Sequence, residues 1–411
     1  MTALTRDDFA DRDLNDPLAR FGERFELPEG VIYLDGNSLG ALPTAVAERI
    51  QSVVRDEWGH DLIKSWNVHD WFTLPTRVGD KIARLIGANP GEVVAADSTS
   101  VNLFKLLAAA MKMRPERNVI VSEPGNFPTD LYVAQGLGEL IGGLQLRLSE
   151  PDGLDLAIGD DVAVVMLTHV NYKTGRVHDM DAVTKAAHDA GALMLWDLAH
   201  SAGALPVDLN GTEADLAVGC GYKYLNGGPG APAFLFVAER LQETVKPPLS
   251  GWMGHEAPFE FGTDFRPAGG IVRNLCGTPG VLSMVGLDTA LDVMLEADMN
   301  EIRAKSIALC DAFALLIAQE CGGHGFELAS PPAAERGSQV SFRHPQGYAI
   351  MQALIARGVI GDFRAPDILR FGFTPLYTRH VDVWDAVMIL KDIMETGSWD
   401  APQFHARAAV T

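Results

Sequence analysis

The sequence predicts an α/β fold in which a mostly parallel sheet forms a large domain and a smaller α/β domain follows it. Three observations support this prediction. Short apolar strand patterns alternate with helical patterns through the middle of the chain. The chain contains no internal repeat and no low-complexity tract. Its 411 residues, of which 47% are hydrophobic and 21% charged, are typical of a folded chain with two or three structural units.

The first two thirds of the chain contain the alternating pattern. Apolar residues at helical spacing in PTAVAERIQSVVRDEW predict a helix over residues 43–58, with Pro43 near its first turn. A helix predicted over 181–190 ends at Gly191, a common stop signal. Short apolar runs predict buried strands at 118–123, 162–169, 192–197 and 214–220.

The last third of the chain predicts the smaller domain. In order, it contains a helix at 296–320 that ends at Gly322–Gly323, a helix at about 347–357, the short strands VIGDF and ILRFGF, and a final helix at 381–395. The predicted organisation is an N-terminal segment over 1–50 that packs with the small domain, a large domain over 51–280 and the small domain over 281–411.

Charge and composition exclude several classes of function. The formal net charge of −21 disfavours binding to nucleic acids and to anionic membranes, because both require a positive surface. No run of about 18 apolar residues predicts a transmembrane helix. The acidic start MTALTRDDFADRD lacks the apolar core of a signal peptide, and the four cysteines form no CxxC pair. These features predict a reduced, cytoplasmic protein.

Lys223 is the most informative residue, because it lies in GCGYKYLNGGPG, after a predicted strand and between two tyrosines. Ligands of open α/β sheets bind beyond the carboxyl ends of such strands. One interpretation is a surface lysine; the other is a desolvated lysine that forms a Schiff base. Asp197, which ends the strand ALMLWD, is either a helix cap or a buried carboxylate that faces a cation. Together the two residues match pyridoxal phosphate, which needs a lysine for its aldehyde and an acid for its pyridinium nitrogen.

A phosphate site and a ring platform would complete such a cofactor site. Thr99 and Ser100, in DSTSVNLFKLLAAAMKM, stand at a predicted helix N-terminus, where backbone N–H groups and the helix dipole can hold a phosphate. Plain N-capping is the alternative. Phe127 follows the strand at 118–123 and is either a ring that stacks on the cofactor or a core residue.

Other cofactors are not predicted. GGPGAP at 227–232 precedes a strand pattern, whereas a dinucleotide motif opens a helix. The eleven histidines form no HExxH or similar spacing, so no metal site is predicted. A GxSxG elbow, typical of α/β-hydrolases, does not occur either.

Five motifs occur in order within residues 30–380 and together resemble the kynureninase family. DLAH and YKYLNGGPG are typical of fold-type-I pyridoxal phosphate enzymes in the class V aminotransferase branch, and GNSLG with GWMGHE narrows the resemblance to kynureninases. The resemblance implies hydrolysis of L-kynurenine to anthranilate and L-alanine in tryptophan degradation. The motifs are YLDGNSLGALP at 33–43, FPTD at 127–130, WDLAHSAGALPVDL at 196–209, GYKYLNGGPG at 221–230 and GWMGHE at 251–256.

The resemblance also implies roles for single residues. Lys223 matches the Schiff-base lysine, Asp197 matches the acid on the pyridine nitrogen, and Tyr222 is the candidate general acid–base. Arg370, in ILRFGF, matches the arginine that binds the substrate α-carboxylate, a task that suits a planar guanidinium. The other implied cofactor contacts are Thr99, Ser100, Phe127, Asp130, Thr168, His200, Trp252 and Thr278, and the other implied substrate contacts are Ser38 and His60.

The resemblance further implies a homodimer with shared sites, in which Trp252 and Thr278 reach the cofactor phosphate of the neighbouring subunit. Relatives that favour 3-hydroxykynurenine tend to carry Asn where this chain has Thr278, which predicts a preference for kynurenine itself. Two alternatives stay open. One is another enzyme of the branch, such as a cysteine desulfurase, for which Cys276 is the plausible loop thiol. The other is a non-catalytic binding protein on the same scaffold.

Overall fold

The computed structural model describes residues 4–407, which form two compact units. The terminal unit comprises the described residues up to Thr44, the segment Tyr172–Val177, and the described residues from Glu296 onwards. The central unit comprises Ala45–Asn171 and His178–Leu295. The predicted domain limits at residues 50 and 280 stay predictions.

The chain contains fifteen strands, most of them short. They are β1 (Phe25–Glu26), β2 (Ile32–Tyr33), β3 (Leu42–Pro43), β4 (Val93–Ala95), β5 (Val119–Ser122), β6 (Gln145–Leu148), β7 (Val162–Thr168), β8 (Leu193–Asp197), β9 (Leu216–Cys220), β10 (Ala233–Val237), β11 (Glu327–Leu328), β12 (Gln339–Arg343), β13 (Val359–Ile360), β14 (Asp362–Arg364) and β15 (Ile368–Gly372), counted within residues 4–407.

The same part of the chain contains thirteen α-helices. They are α1 (Arg6–Leu14), α2 (Thr44–Ser52), α3 (Ser65–Val68), α4 (Leu74–Ala83), α5 (Thr99–Met113), α6 (Pro128–Ile141), α7 (Leu154–Ala157), α8 (Met180–Asp189), α9 (Glu239–Gln242), α10 (Val281–Leu295), α11 (Met299–Glu320), α12 (Gly347–Ala356) and α13 (His380–Thr396). None of the described helices is long and apolar enough to cross a membrane.

A seven-stranded sheet forms the centre of the central unit, in the order β4-β10-β9-β8-β7-β5-β6. Neighbouring strands from β9 to β6 run parallel, while β10 runs antiparallel to both β9 and β4. Every residue of β7 and β8 is buried, which explains why both strands are apolar up to their last residue. The predicted mostly parallel sheet is confirmed.

The terminal unit contains a four-stranded antiparallel sheet in the order β11-β12-β15-β14. Helices α11, α12 and α13 share a core with this sheet, in which the rings of Phe313 and Phe371 lie 4.7 Å apart. The N-terminal residues belong to the same core through Phe9, and β2 pairs in parallel with β13.

Most predicted elements are confirmed, with ends shifted by one or two residues. The strands predicted at 118–123, 162–169, 192–197 and 214–220 are β5, β7, β8 and β9, ILRFGF contains β15, and the helices predicted at 181–190, 347–357 and 381–395 are α8, α12 and α13.

The prediction of a single strand for VIGDF is wrong. Gly361 separates β13 from β14, and these two strands pair in different sheets. A Cβ atom at position 361 would stand 2.9 Å from the backbone oxygen of Arg370. The close approach of β15 therefore favours glycine at this point of the chain.

Two predicted helices have different limits. The helix predicted over 296–320 begins at Met299, because the Asp298 side chain accepts the backbone N–H of Asn300 and caps it. A separate helix, α10, lies before it and was not predicted. The helix predicted over 43–58 begins after Pro43 and continues from Val53 as a π-helix.

Candidate active site

Lys223 lies just beyond the carboxyl end of β9 in the central unit. Its amine is 3.0 Å from Nε2 of His200. It also stands near two aromatic rings, 5.8 Å from the centroid of Tyr222 and 5.9 Å from that of Phe127. The residue is half-buried. These surroundings favour a functional lysine over a solvated surface side chain.

Thr168 and Asp197 end the neighbouring strands β7 and β8, are direct register partners, and are both buried. Asp197 Oδ1 accepts the backbone N–H of Ala199 at 2.7 Å, so the carboxyl caps the turn that follows. Burial raises the pKa of Asp197, while the Ala199 N–H and the Lys223 cation partly oppose that rise. Both interpretations of Asp197, as a cap and as a buried acid facing a cation, agree with this geometry.

Asp130 brings a second buried carboxyl to the same place. Its side chain shares a hydrogen bond with Asp197, and its Oδ2 accepts the Thr168 hydroxyl at 3.5 Å. Burial raises the pKa of Asp130 well above its usual range, and the negative charge of Asp197 adds to the rise. The end of the sheet thus holds two acids that favour a shared proton or a cationic ligand.

Asn126, which was not predicted, fixes the loop between β5 and α6. It is 2% exposed; its Nδ2 donates to the Ser122 hydroxyl at 3.0 Å, and its Oδ1 accepts from the backbone N–H of Phe127 at 2.8 Å and from the Thr168 hydroxyl. Asn126 therefore links the ends of β5 and β7 to the residue that carries the predicted ring platform.

Phe127 is held at the start of α6, directly before Pro128, the first residue of that helix. Its backbone is extended, and the proline favours this conformation in the residue before it. The side chain of Phe127 is 36% exposed, so it is not an ordinary core residue. A ring in this position, 5.9 Å from the Lys223 amine, can stack on a planar cofactor.

The predicted phosphate site lies at the N-terminus of α5. Ser98 is the N-cap, and its hydroxyl accepts the backbone N–H of Val101. Thr99 and Ser100 are the first two helical residues and are half-buried, so their hydroxyls and N–H groups are available to an anion. The capping role falls on Ser98, which leaves the two predicted residues for a ligand.

The outer predicted residues of the central unit lie in more exposed positions. Trp252 is 39% exposed and packs edge-on against Phe259 at 5.7 Å. Thr278 is exposed and lines a cavity of about 240 Å³. His60 lies in the π-helix, is largely exposed, and contacts the Asp61 carboxylate at 3.1 Å.

Arg370 and Ser38 come together in the terminal unit. Arg370, on β15, is 1% exposed and forms a two-point ion pair with Asp362, with N–O distances of 2.8 and 2.5 Å. Its Nη2 also donates to the Ser38 hydroxyl at 2.8 Å, and its Nη1 donates to the Tyr172 backbone oxygen at 2.7 Å. Arg364 adds a second guanidinium, 2.5 Å from Asp362.

The side chains of the central unit fit pyridoxal phosphate. An amine lies at the end of β9, a buried acid pair at the end of β8, a part-exposed ring beside the amine, and a helix N-terminus with two hydroxyls. Each group matches one part of the cofactor: aldehyde, pyridinium, ring face and phosphate. Over residues 4–407, no group of three or more His, Cys, Asp or Glu side chains is placed to hold a metal ion.

Comparisons with known proteins point to one family. The family model of the kynureninase C-terminal domain matches residues 302–390. The chain is 58% identical to a kynureninase of Burkholderia pseudomallei (strain 1106a) and 54% identical to one of Pseudomonas fluorescens; each match covers 99% of this chain and 100% of the relative.

Solved structures share the fold at lower identity. A cysteine desulfurase from Thermococcus onnurineus NA1 matches with a TM-score of 0.79 at 19% identity, over 96% of this chain and 100% of that one. The Escherichia coli cysteine desulfurase CsdA matches with a TM-score of 0.75 at 22% identity, over 92% and 98%. A mutant of C-DES with glycine covalently linked to its PLP cofactor has a TM-score of 0.77 at 19% identity, over 90% and 98%.

Proposed function

The chain belongs to the kynureninase family, and from this membership we propose how its own residues carry out the family reaction. The enzyme hydrolyses L-kynurenine to anthranilate and L-alanine, a cleavage of the Cβ–Cγ bond that consumes one water molecule. Its cofactor, pyridoxal 5′-phosphate, supplies an electron sink for charge that develops on the substrate Cα. The observation that carries the proposal is the half-buried Lys223 amine between His200 and the Phe127 ring.

Lys223 is proposed to hold the cofactor and to move the proton at Cα. Its amine is the group that would hold the cofactor aldehyde. The same Nζ would serve as the base for the substrate Cα–H. His200 Nε2, 3.0 Å from Nζ, supports this role because it orients the amine through a hydrogen bond.

Asp197 is proposed to hold the proton on the pyridine nitrogen, with Asp130 beside it. Burial alone disfavours ionisation of Asp197, so the carboxylate form needs a neighbouring cation. A pyridinium provides that cation, and the resulting pair keeps the ring nitrogen protonated. The Thr168 hydroxyl, which donates to Asn126 and lies 3.5 Å from Asp130 Oδ2, keeps this side of the site fixed.

Tyr222 is proposed as the acid–base for the later steps. Its ring centroid lies 5.8 Å from the Lys223 amine, so both groups stand within the length of one substrate chain. Water adds to the γ-carbonyl, and the phenol would give and take the protons that addition and Cβ–Cγ cleavage require. A Tyr222→Phe variant should retain α-proton exchange with solvent but slow anthranilate release; equal loss of both rates would remove Tyr222 from the later steps.

The protein is proposed to act as a homodimer. Trp252, Phe259 and Phe261 are 39%, 63% and 79% exposed. The ring centroid of Phe259 lies 5.7 Å from that of Trp252 and 6.4 Å from that of Phe261. A group of exposed aromatic side chains is typical of a protein–protein contact. In this proposal Trp252 and Thr278 reach the cofactor phosphate of the neighbouring subunit, whose own contacts are Thr99, Ser100 and His200.

Arg370, Ser38 and His60 are proposed to bind the substrate. The burial and positive charge of Arg370 support it as the partner of the substrate α-carboxylate. The Asp362 side chain orients Arg370 and also accepts the Ser38 hydroxyl. His60 is exposed and is proposed to lie near the aromatic end of kynurenine. Thr278 supports a preference for kynurenine over 3-hydroxykynurenine; a clearly higher kcat/KM for the hydroxylated substrate would contradict this preference.

The cysteines do not support desulfurase chemistry, which needs a reactive thiolate. Burial raises the pKa of Cys220, of Cys310 to about 12 and of Cys321 to about 11. Cys276 is half-buried, with its sulfur 3.8 Å from a carboxylate oxygen of Asp97. All four cysteines are unpaired, which supports the proposal of a cytoplasmic location.

The test is the rise in anthranilate fluorescence after the protein, loaded with pyridoxal phosphate, is mixed with L-kynurenine. Lys223→Ala should lower the rate by roughly 10³-fold or more and abolish the visible absorption band of the bound cofactor. Lys185→Ala, an exposed lysine on α8, is the matched control and should behave as the unmodified protein. Activity that persists in Lys223→Ala would contradict the assignment of this lysine.

A further inference from the structure

Asp362, Arg364 and Arg370 project from one face of the terminal unit's antiparallel sheet. Asp362 on β14 is the register partner of Arg370 on β15, and Arg364 is the partner of Ile368. Residues two apart on a strand point to the same side, so Asp362 and Arg364 share a face. Cross-strand partners also share a face, which adds Arg370 to the same group.

Arg370 has little hydrogen-bonding capacity left for a further carboxylate. Of the five N–H groups of a guanidinium, Nε and Nη2 donate to Asp362, the other Nη2 hydrogen goes to Ser38, and one Nη1 hydrogen goes to Tyr172. A two-point contact needs two parallel N–H groups on one edge. Each edge of the Arg370 guanidinium already donates at least one N–H group to the protein. One N–H group of Nη1 and the positive charge remain for a ligand.

Arg364, in contrast to Arg370, has hydrogen-bonding capacity left for a ligand. Within residues 4–407 its hydrogen bonds come from Nη2 alone, to Asp362 at 2.5 Å and to Ser38 at 3.4 Å. In the same part of the chain its Nε is buried and has no hydrogen-bond partner. The side chain is 36% exposed, so a ligand can approach it. Because both of these hydrogen bonds come from Nη2, the Nη1 group is left to donate to an incoming carboxylate.

The charges of this group also favour an anion. Although burial acts to raise it, the pKa of Asp362 is lowered because Arg370 and Arg364 stabilise the carboxylate. Burial, with the charge of Asp362, raises the pKa of Asp35 to about 7. Two guanidinium cations therefore face one firmly ionised carboxylate, Asp362, and a second carboxyl, Asp35, whose ionisation is opposed by burial. This arrangement favours the approach of an anion.

We propose that Arg364 is a second arginine for the substrate α-carboxylate: its Nη1 group donates to the carboxylate, while Arg370, oriented by Asp362, contributes buried charge and one N–H. This inference rests on the proposed function, in which the terminal unit binds the carboxylate of L-kynurenine. It assigns Arg364 a role in substrate binding and Asp362 a positioning role.

The test compares two ligands in the Arg364→Gln holoenzyme. One is L-kynurenine; the other is kynuramine, the same molecule without its carboxylate, used as a competitive inhibitor. We expect KM for L-kynurenine to rise by about 10- to 100-fold, the loss that corresponds to one charge-assisted contact, with kcat within about threefold. The inhibition constant of kynuramine should stay within about twofold of the unmodified protein's. Arg364→Lys should recover part of the loss.

Three controls separate the possible failures. Arg343→Gln, which removes an exposed arginine of β12, should change neither ligand's binding. If Arg364→Gln weakens both ligands equally, or neither, Arg364 does not bind the carboxylate and the inference is wrong. If Arg370→Gln also leaves the preference for L-kynurenine over kynuramine unchanged, the proposed carboxylate site itself fails. Absence of anthranilate formation by the unmodified protein would instead contradict the proposed function.

Discussion

Two groups of buried charges, one in each unit, show that partners rather than burial decide the charge of a carboxyl. Asp197 in the central unit is 3% exposed and has a raised pKa, whereas Asp362 in the terminal unit is 2% exposed and has a lowered one. For Asp197, burial outweighs the opposing effects of the Ala199 N–H, the Lys223 cation and the hydrogen bond from Asp130. Asp362 lies against two guanidiniums, which outweigh the effect of burial.

The difference corresponds to the ligand proposed for each group. In the central unit the Lys223 cation does not outweigh the burial of the two acids, and a pyridinium nitrogen would add a second positive charge beside them. The arginine pair of the terminal unit lacks an anion, and an α-carboxylate would supply it. Each group is complementary to the charge of its ligand rather than neutral by itself, which is a frequent feature of functional sites.

The largest expected effect is a loss of folding stability when the negative charge of Asp362, which pairs with Arg364 and Arg370, is removed. Asp362→Asn leaves Arg370 and Arg364 buried or part-buried without their carboxylate, and breaking such a pair costs about 3–5 kcal/mol. The unfolding midpoint in urea of the holoenzyme should therefore fall clearly.

Asp367→Asn is the matched control for this change. It breaks an ion pair with Arg343, in which the two side chains are 30% and 50% exposed, and such pairs contribute about 0–1 kcal/mol. Equal midpoints for the Asp362 and Asp367 variants would mean that the two guanidiniums find other partners, and the contrast between the units would lose its basis.

A smaller effect is expected in the central unit, and it should be unequal for the two acids. Asp197→Asn removes the proposed partner of the pyridine nitrogen and should lower kcat by about 10- to 100-fold, as for one charge-assisted hydrogen bond. Asp130→Asn removes only the neighbouring acid and leaves the Asp197 carboxyl in place, so its effect should stay below about tenfold. Steady-state anthranilate assays measure both; a larger loss for Asp130→Asn would reverse the two assignments.

The last expected effect is a pH dependence of stability in the terminal unit. The pKa of Asp35 is about 7 in the folded protein, raised by burial and then by Asp362, so the folded state holds this proton more tightly than the unfolded chain. The resulting stabilisation is complete below the unfolded pKa near 4 and is lost as the pH rises through 7. The melting temperature of Asp35→Asn relative to the unmodified protein should therefore rise between pH 5 and pH 8, and a constant difference would contradict the raised pKa.

Parts of the site that depend on local sequence could be predicted. An apolar run that ends in Thr168 or Asp197 identifies the polar end of a buried strand, and the rule for open α/β sheets puts such ends at a ligand site. Thr99 could be placed at a helix start because the apolar pattern begins there. Lys223 stood out because tyrosines and glycines surround it in sequence.

Other parts depend on contacts between distant segments. The partner of Arg370 follows from the register of β14 on β15, which the sequence alone does not provide, so the engagement of its guanidinium by Asp362 was not predicted. Asn126 gains its role from strands 40 residues apart in the chain, through the Thr168 and Ser122 hydroxyls. Helix α10 was missed because its buried residues include the consecutive run 284–287, so no face of it shows helical periodicity.

The hydrogen bond between Asp130 and Asp197 has a consequence for cofactor loading. Two carboxyl groups can share such a bond only when one proton lies between them, so one of these two acids carries a proton. When a pyridine nitrogen arrives opposite Asp197, this proton can pass directly to it and leave a carboxylate behind. The protein itself can therefore supply the proton that the ring nitrogen would carry when the cofactor is bound.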